Sequence, residues 1–199
     1  MNEGNLIKNF NDLKKEIVNN FKDYTSIKKI LNVKLEILKF NKNKYSSYPY
    51  QRLKNIPAFY EHEKRSIVFN KSLLEFLNKP LVLNILYHEF LHAISFRVIK
   101  KETNKTILKS GFYIQEFSHK KRRKDFFKQL NEGVIQYLAN KKTGNIKNSG
   151  YQKEAKIITQ ITKKINERKL KKLFFKGKVE KLKKLIEEHF GKKLLKKLA

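Results

Sequence analysis

The chain has no cysteine among its 199 residues. That absence excludes a disulfide scaffold, a thiolate metal site and a cysteine nucleophile. Any metal must therefore be held by histidine, aspartate or glutamate. Histidine is scarce as well: His62, His88, His92, His119 and His189 are the five in the chain. A close pair among so few is correspondingly informative. Three prolines and seven glycines argue against a long disordered linker. No apolar run approaches the ~20 residues of a membrane span. The opening stretch MNEGNLIKNFNDLKKEIVNNF is amphipathic and carries acids, without the uninterrupted apolar region of a secretory signal. The expectation is a soluble, cytoplasmic protein.

Acids are also few: 18 Asp and Glu stand against 47 Lys and Arg, for a formal charge of +29. Such a field attracts nucleic acid, anionic membrane or acidic peptides. Only six of the basic residues are arginine, at positions 52, 65, 97, 122, 123 and 168. Base readout and bidentate phosphate clamps favour arginine. The richness in Lys, Asn and Ile reads instead as a compositional bias, with lysine filling solvated faces. Binding to nucleic acid or an anionic surface stays as the alternative function. Its basis is the run Lys120-Lys121-Arg122-Arg123-Lys124 and the lysines of the tail.

The length fits one domain, read as a catalytic core over residues 1–150 with a helical part over residues 151–199. Leu6, Phe10, Leu13, Ile17 and Phe21 recur at helical spacing and predict an opening amphipathic helix. Val33, Leu35 and Ile37 alternate with Lys34 and Glu36, the pattern of a strand. Residues 58–60 and 66–70 read as further strands, and residues 45–56 as irregular. Together they predict a small, mostly antiparallel sheet. Residues 72–77 suggest a short helix. The unbroken apolar stretch from Leu81 to Phe96 predicts a buried helix, with Pro80 in its first turn. Residues 100–109 read as a charged loop, and residues 111–117 fit no element clearly. Helices are expected near 124–140, 154–167 and 179–190. The fold class expected is α+β, with the sheet against the central helix and a helical carboxy-terminal half.

Residues 88–92 are His-Glu-Phe-Leu-His. On a helix, positions i and i+4 share one face, so both imidazoles reach one metal while Glu89 stands beside a bound water. The surrounding NILYHEFLHAIS is apolar, and burying two histidines and a glutamate there without partners would cost several kcal/mol. The alternative is a pair of hydrogen-bonded core histidines. Catalytic zinc takes three protein ligands and a water. The third-ligand candidates downstream are Glu102, Glu116, His119, Asp125, Glu132 and Glu154. Glu132, on a helix whose other side is apolar, is favoured over a helix-capping role for that residue. Glu116 and His119 lie in or beside a basic run and are weaker. Tyr151, Tyr113 and Tyr137 are candidates to donate to an oxyanion. Tyr151 is preferred because it follows the ligand helix.

His88-Glu89-x-x-His92 followed by Asn131-Glu132-Gly133 resembles the gluzincin metallopeptidases, and LNEGVIQYLA is similar to a stretch of alanyl-type zinc aminopeptidases. A weaker likeness is to peptidases of the ImmA/IrrE type, which cleave regulators. The resemblance covers about 80 residues. It implies one zinc ion held by His88, His92 and Glu132, Glu89 as general base, and a peptide or protein as substrate. It also implies that residues 66–70 form a substrate-binding edge strand. No GAMEN-like segment for a free amino terminus is present, so the activity implied is that of an endopeptidase. Gln136 stands where thermolysin-like enzymes place an aspartate. Support for a ligand histidine must then come from elsewhere. A third reading is a latent or inactive peptidase-like domain whose tail covers the cleft.

Overall fold

The computed structural model describes residues 1–39, 55–102, 105–118, 121–144, 146 and 149–196. Most of the irregular segment expected at 45–56 lies outside these residues, as does His119. The chain is α+β. It divides into two compact units, residues 1–94 with 139–149, and residues 95–138 with 150–199.

The first unit opens with α1 (Glu3–Phe21). The Asn2 side chain accepts from the Asn5 amide at 2.9 Å, and Glu3 occupies the first turn, where the helix dipole favours an acid. The expected stripe of Leu6, Phe10, Leu13, Ile17 and Phe21 is buried. A short α2 (Ile27–Leu31) is capped by Ser26. Strands β1 (Lys34–Leu38), β2 (Ala58–Glu61) and β3 (Ser66–Asn70) then form one sheet in the order β1-β3-β2. β1 runs parallel to β3 and β2 antiparallel to it, so this sheet is mixed. It also corrects one expectation. Ser66–Asn70 is the central strand, not an edge, because both its sides are hydrogen-bonded and every residue in it is buried.

After α3 (Lys71–Leu74) comes α4 (Lys79–Ser95), which carries the His-Glu-x-x-His segment. Asn78 accepts from the Leu81 amide at 3.0 Å. Pro80 fits the first turn because the N–H it lacks would have no intrahelical partner there. α4 meets α1 through tilted ring contacts: Phe90 with Phe10 at 5.6 Å and Tyr87 with Phe21 at 6.4 Å between centroids. Asn84, 1% exposed, donates to Thr143 at 2.7 Å. Thr143 closes α5 (Lys128–Thr143), a helix that belongs to this unit from Ala139 onward.

The second unit contains a four-stranded antiparallel meander of β4 (Phe96–Glu102), β5 (Lys105–Ser110), β6 (Tyr113–Ser118) and β7 (Lys121–Phe126). Residues 100–109, expected as a charged loop, are therefore mostly strand. Charge hid them: the segment has little apolar alternation, and its strands are specified by pairing with neighbours rather than by local pattern. The first part of α5 follows. Then come α6 (Gln152–Lys164), α7 (Glu167–Phe175), α8 (Val179–Phe190) and the short α9 (Lys192–Lys196). The periodicity predicts one helix over 154–167 and none over 167–175; the structure divides this stretch into α6 and α7. The chain turns at Ile165, and the Asn166 side chain restarts a helix by accepting from the Arg168 amide at 2.7 Å. Ile158, Ile161, Leu170, Phe174, Leu182 and Ile186 are fully buried, and Phe174 meets Phe112 edge-on at 5.3 Å. Among the described residues, no helix is long and apolar enough to cross a membrane.

Leu182 is 0% exposed, so Leu182→Ala should remove about 2–5 kcal/mol of stability. The exposed Lys184→Ala should change it by less than about 0.5 kcal/mol. Urea unfolding of both variants measures the difference.

Candidate metal centre

His88 and His92 stand one turn apart on α4, and their Nε2 atoms approach to 3.2 Å. Helical spacing fixes this: the side chains of i and i+4 lie one above the other. Their setting is apolar, with Leu86, Phe90, Leu91 and Ile94 all at 1% exposure or less. His88 itself is 8% exposed. At that separation the two nitrogens share one proton or direct two lone pairs at one cation. Two imidazole nitrogens bound to one tetrahedral zinc ion lie about 3.4 Å apart, given Zn–N lengths of ~2.1 Å. The observed distance fits that requirement. Glu89 follows His88 on the helix and is half-buried.

Glu132 sits in the first part of α5 and is 6% exposed. Each of His88, His92 and Glu132 offers one ligand atom, and these atoms all lie within 4.8 Å of one another. Among the described residues this is the group of three that meets metal-binding geometry. Two imidazoles and one carboxylate make a donor set that suits zinc and leaves a coordination position open. Glu116 on β6 and Glu154 on α6 are not part of it. The side chains of Glu102 and Asp125 lie outside the described residues.

Each residue around Glu132 has a separate physical task. Leu130 is fully buried core. The Asn131 side-chain oxygen accepts from the amides of Phe112 and Tyr113, at 3.1 and 3.4 Å. This ties the start of α5 to the turn between β5 and β6. The other end of that side chain, Nδ2, is buried and has no hydrogen-bond partner among the described residues. Gly133 lets α6 come close, since a Cβ at this position would lie 2.9 Å from the Glu154 Cβ. The motif Asn131-Glu132-Gly133 names all three residues, but the sequence alone gives Asn131 and Gly133 no task. A signal was present: glycine early in a helix costs roughly 1 kcal/mol relative to alanine, so it calls for a packing reason.

The three tyrosine candidates differ in what holds them. Tyr137, 8% exposed, donates to Glu167 at 2.8 Å, which fixes it at the start of α7. The Tyr113 hydroxyl accepts from Gln115 at 2.7 Å. Tyr151 stands at the amino-terminal end of α6 with φ 57° in the left-handed region, and is 39% exposed. It is the most accessible of the three. Gln136, one turn after Glu132, is 2% exposed.

No protein-family model, curated protein or solved structure matches this chain.

Gly133→Ala would push a methyl group into Glu154. The expected cost is about 1–3 kcal/mol from overpacking, seen as a lower melting temperature. Gly150→Ala, where a Cβ meets nothing within 4 Å among the described residues, is the matched control and should melt close to the parent.

Proposed function

We propose that the protein is a zinc-dependent metallopeptidase of gluzincin type. The observation that carries this reading is the donor group of His88, His92 and Glu132, with ligand atoms within 4.8 Å of one another. The apolar surroundings of the pair, with His88 buried and His92 half-buried, support it, because a cation there meets ligands already withdrawn from water. A zinc ion held by these residues would polarise a peptide carbonyl as a Lewis acid and lower the pKa of water toward ~7.

The chain's own groups would do the rest. Glu89 is adjacent in sequence to a ligand yet outside the donor group. Its carboxylate accepts the proton of the attacking water and passes it to the leaving amine. His88 and His92 would hold the ion through their ring nitrogens. Tyr151 is the group assigned to donate to the developing oxyanion. The substrate class is a peptide or protein, cleaved internally.

Purified protein should carry close to one zinc ion per chain by elemental analysis. His88→Ala or His92→Ala should abolish tight binding and Glu132→Ala should weaken it, whereas Glu116→Ala should leave it intact. Full zinc in the Glu132 variant would remove that ligand from the assignment. Glu89→Gln should keep zinc and the melting temperature while peptide hydrolysis falls by about 10²–10⁴-fold, the usual contribution of a general base. Equal turnover by zinc-loaded parent and Glu89→Gln would exclude this mechanism.

A further inference from the structure

Several cations gather where α7 turns into α8. α7 ends in a Schellman turn: the Gly177 amide donates to Phe174 O and the Lys178 amide to Leu173 O, both at 2.9 Å. Gly177 supplies the left-handed residue that this turn needs, with φ +59°. Two cations from the meander close over the turn. Arg97 donates to Phe175 O, and Lys109 donates to Gly177 O at 2.5 Å. They are also direct cross-strand partners in the register of β4 and β5. Like charges placed opposite each other on a sheet repel.

Lys178 joins the same cluster. Burial first, then the charges of Arg97 and Lys178, hold the Lys109 ammonium below its usual pKa. The cationic surface continues from Lys176, the residue that caps α7, to Lys172 and Arg168 on the helix, all exposed and spaced by four residues. Like charges at i and i+4 destabilise a helix by a few tenths of a kcal/mol per pair. The acids nearby relieve the cluster only in part, Glu180 acting on Lys109 against its burial and the two cations. Glu167 is engaged by Tyr137 and Lys171, and Glu180 pairs with Lys183 at 2.9 Å.

We propose that the corner formed by Arg97, Lys109, Lys178 and the Arg168–Lys172–Lys176 row of α7 binds the phosphate backbone of a nucleic acid. A polyanion satisfies several of these repelling cations at once and releases its own counterions. A membrane is the less suitable partner. Surface helices that bind bilayers expose large apolar side chains to the lipid, and the exposed large apolar residues of this chain include none on α7 or α8. With four lysines to two arginines in the cluster, contact is to phosphates rather than to base edges, so binding is insensitive to sequence. This surface is separate in its residues from the candidate metal centre and does not depend on peptidase activity.

The test is fluorescence anisotropy of the full chain with a labelled random-sequence DNA duplex and a labelled single-stranded RNA, over a range of salt. The triple variant Arg168→Glu, Lys172→Glu, Lys176→Glu is compared with Lys8→Glu, Lys22→Glu, Lys28→Glu. The second triple changes net charge equally on exposed lysines of α1 and α2 and just after α1. The α7 triple should lose roughly tenfold or more in affinity, and its salt slope should fall by about three on duplex DNA. The control triple should lose clearly less. Equal losses would overturn the proposal, because only net charge would then be at work. Absence of binding by the parent, or tighter binding to phosphatidylserine vesicles than to either nucleic acid, would overturn it too. If the Glu triple melts early, the same positions changed to Gln serve instead, with a loss of roughly fivefold against a Gln control required. Zinc content and peptide turnover should be unchanged in every folded variant.

Discussion

Two imidazole nitrogens 3.2 Å apart on an apolar helix set the terms for the rest of the first unit. Buried polar atoms are tolerated only when each has a partner. The pair therefore needs a fixed rotamer, a fixed tautomer and a third group whose charge or proton completes it. A helix able to meet those demands cannot fray or rotate. α4 is accordingly held along its length: Asn78 at its start, Asn84 to Thr143 one turn later, then Tyr87 on Phe21 and Phe90 on Phe10. The amphipathic stripe of α1 is the counterpart that makes this possible. Its apolar residues are spent on immobilising the helix that carries the histidines.

In the second unit the same economy is visible over four residues. Leu130, Asn131, Glu132 and Gly133 respectively fill the core, anchor the turn between β5 and β6, present a carboxylate and admit α6. A carboxylate at 6% exposure is useful as a ligand only if its position is fixed to within a fraction of an ångström. The anchoring hydrogen bonds from Phe112 and Tyr113 and the close approach at Gly133 act on the residues directly before and after it. Substituting either neighbour would disturb Glu132 without touching the donor atom.

The excess of lysine is unevenly consequential. Where lysines are scattered over helix faces, they stand in solvent or pair with an acid, as Lys71 does with Glu3 and Lys142 with Glu16. At the turn between α7 and α8 they converge, with Arg97 and Lys109 facing each other across strands and helix-end carbonyls absorbing only part of their charge. Composition alone treats these two situations alike. The difference arises from a Schellman turn and a strand register that bring residues separated by some seventy positions to one place.

What the sequence determined by itself was periodic or local. The stripe of α1, the bounds of β3 and α8, the buried helix carrying His88, Glu89 and His92, and the α+β class all follow from spacing and from capping residues, which act over one or two turns. The preference for Glu132 was legible because a lone acid on an apolar helix needs a reason. The tertiary structure decided what depends on partners distant in sequence. It made Ser66–Asn70 a central strand, because β1 and β2 pair with it from both sides. It turned the basic segment after α4 into a meander, because strand pairing compensates for weak apolar alternation. It gave Asn131, Gly133 and Gly177 their tasks, since a hydrogen-bond partner or a close neighbour is a property of packing. Local pattern fixes which face of an element is apolar; only the packed chain determines what that face, and the polar groups beside it, will meet.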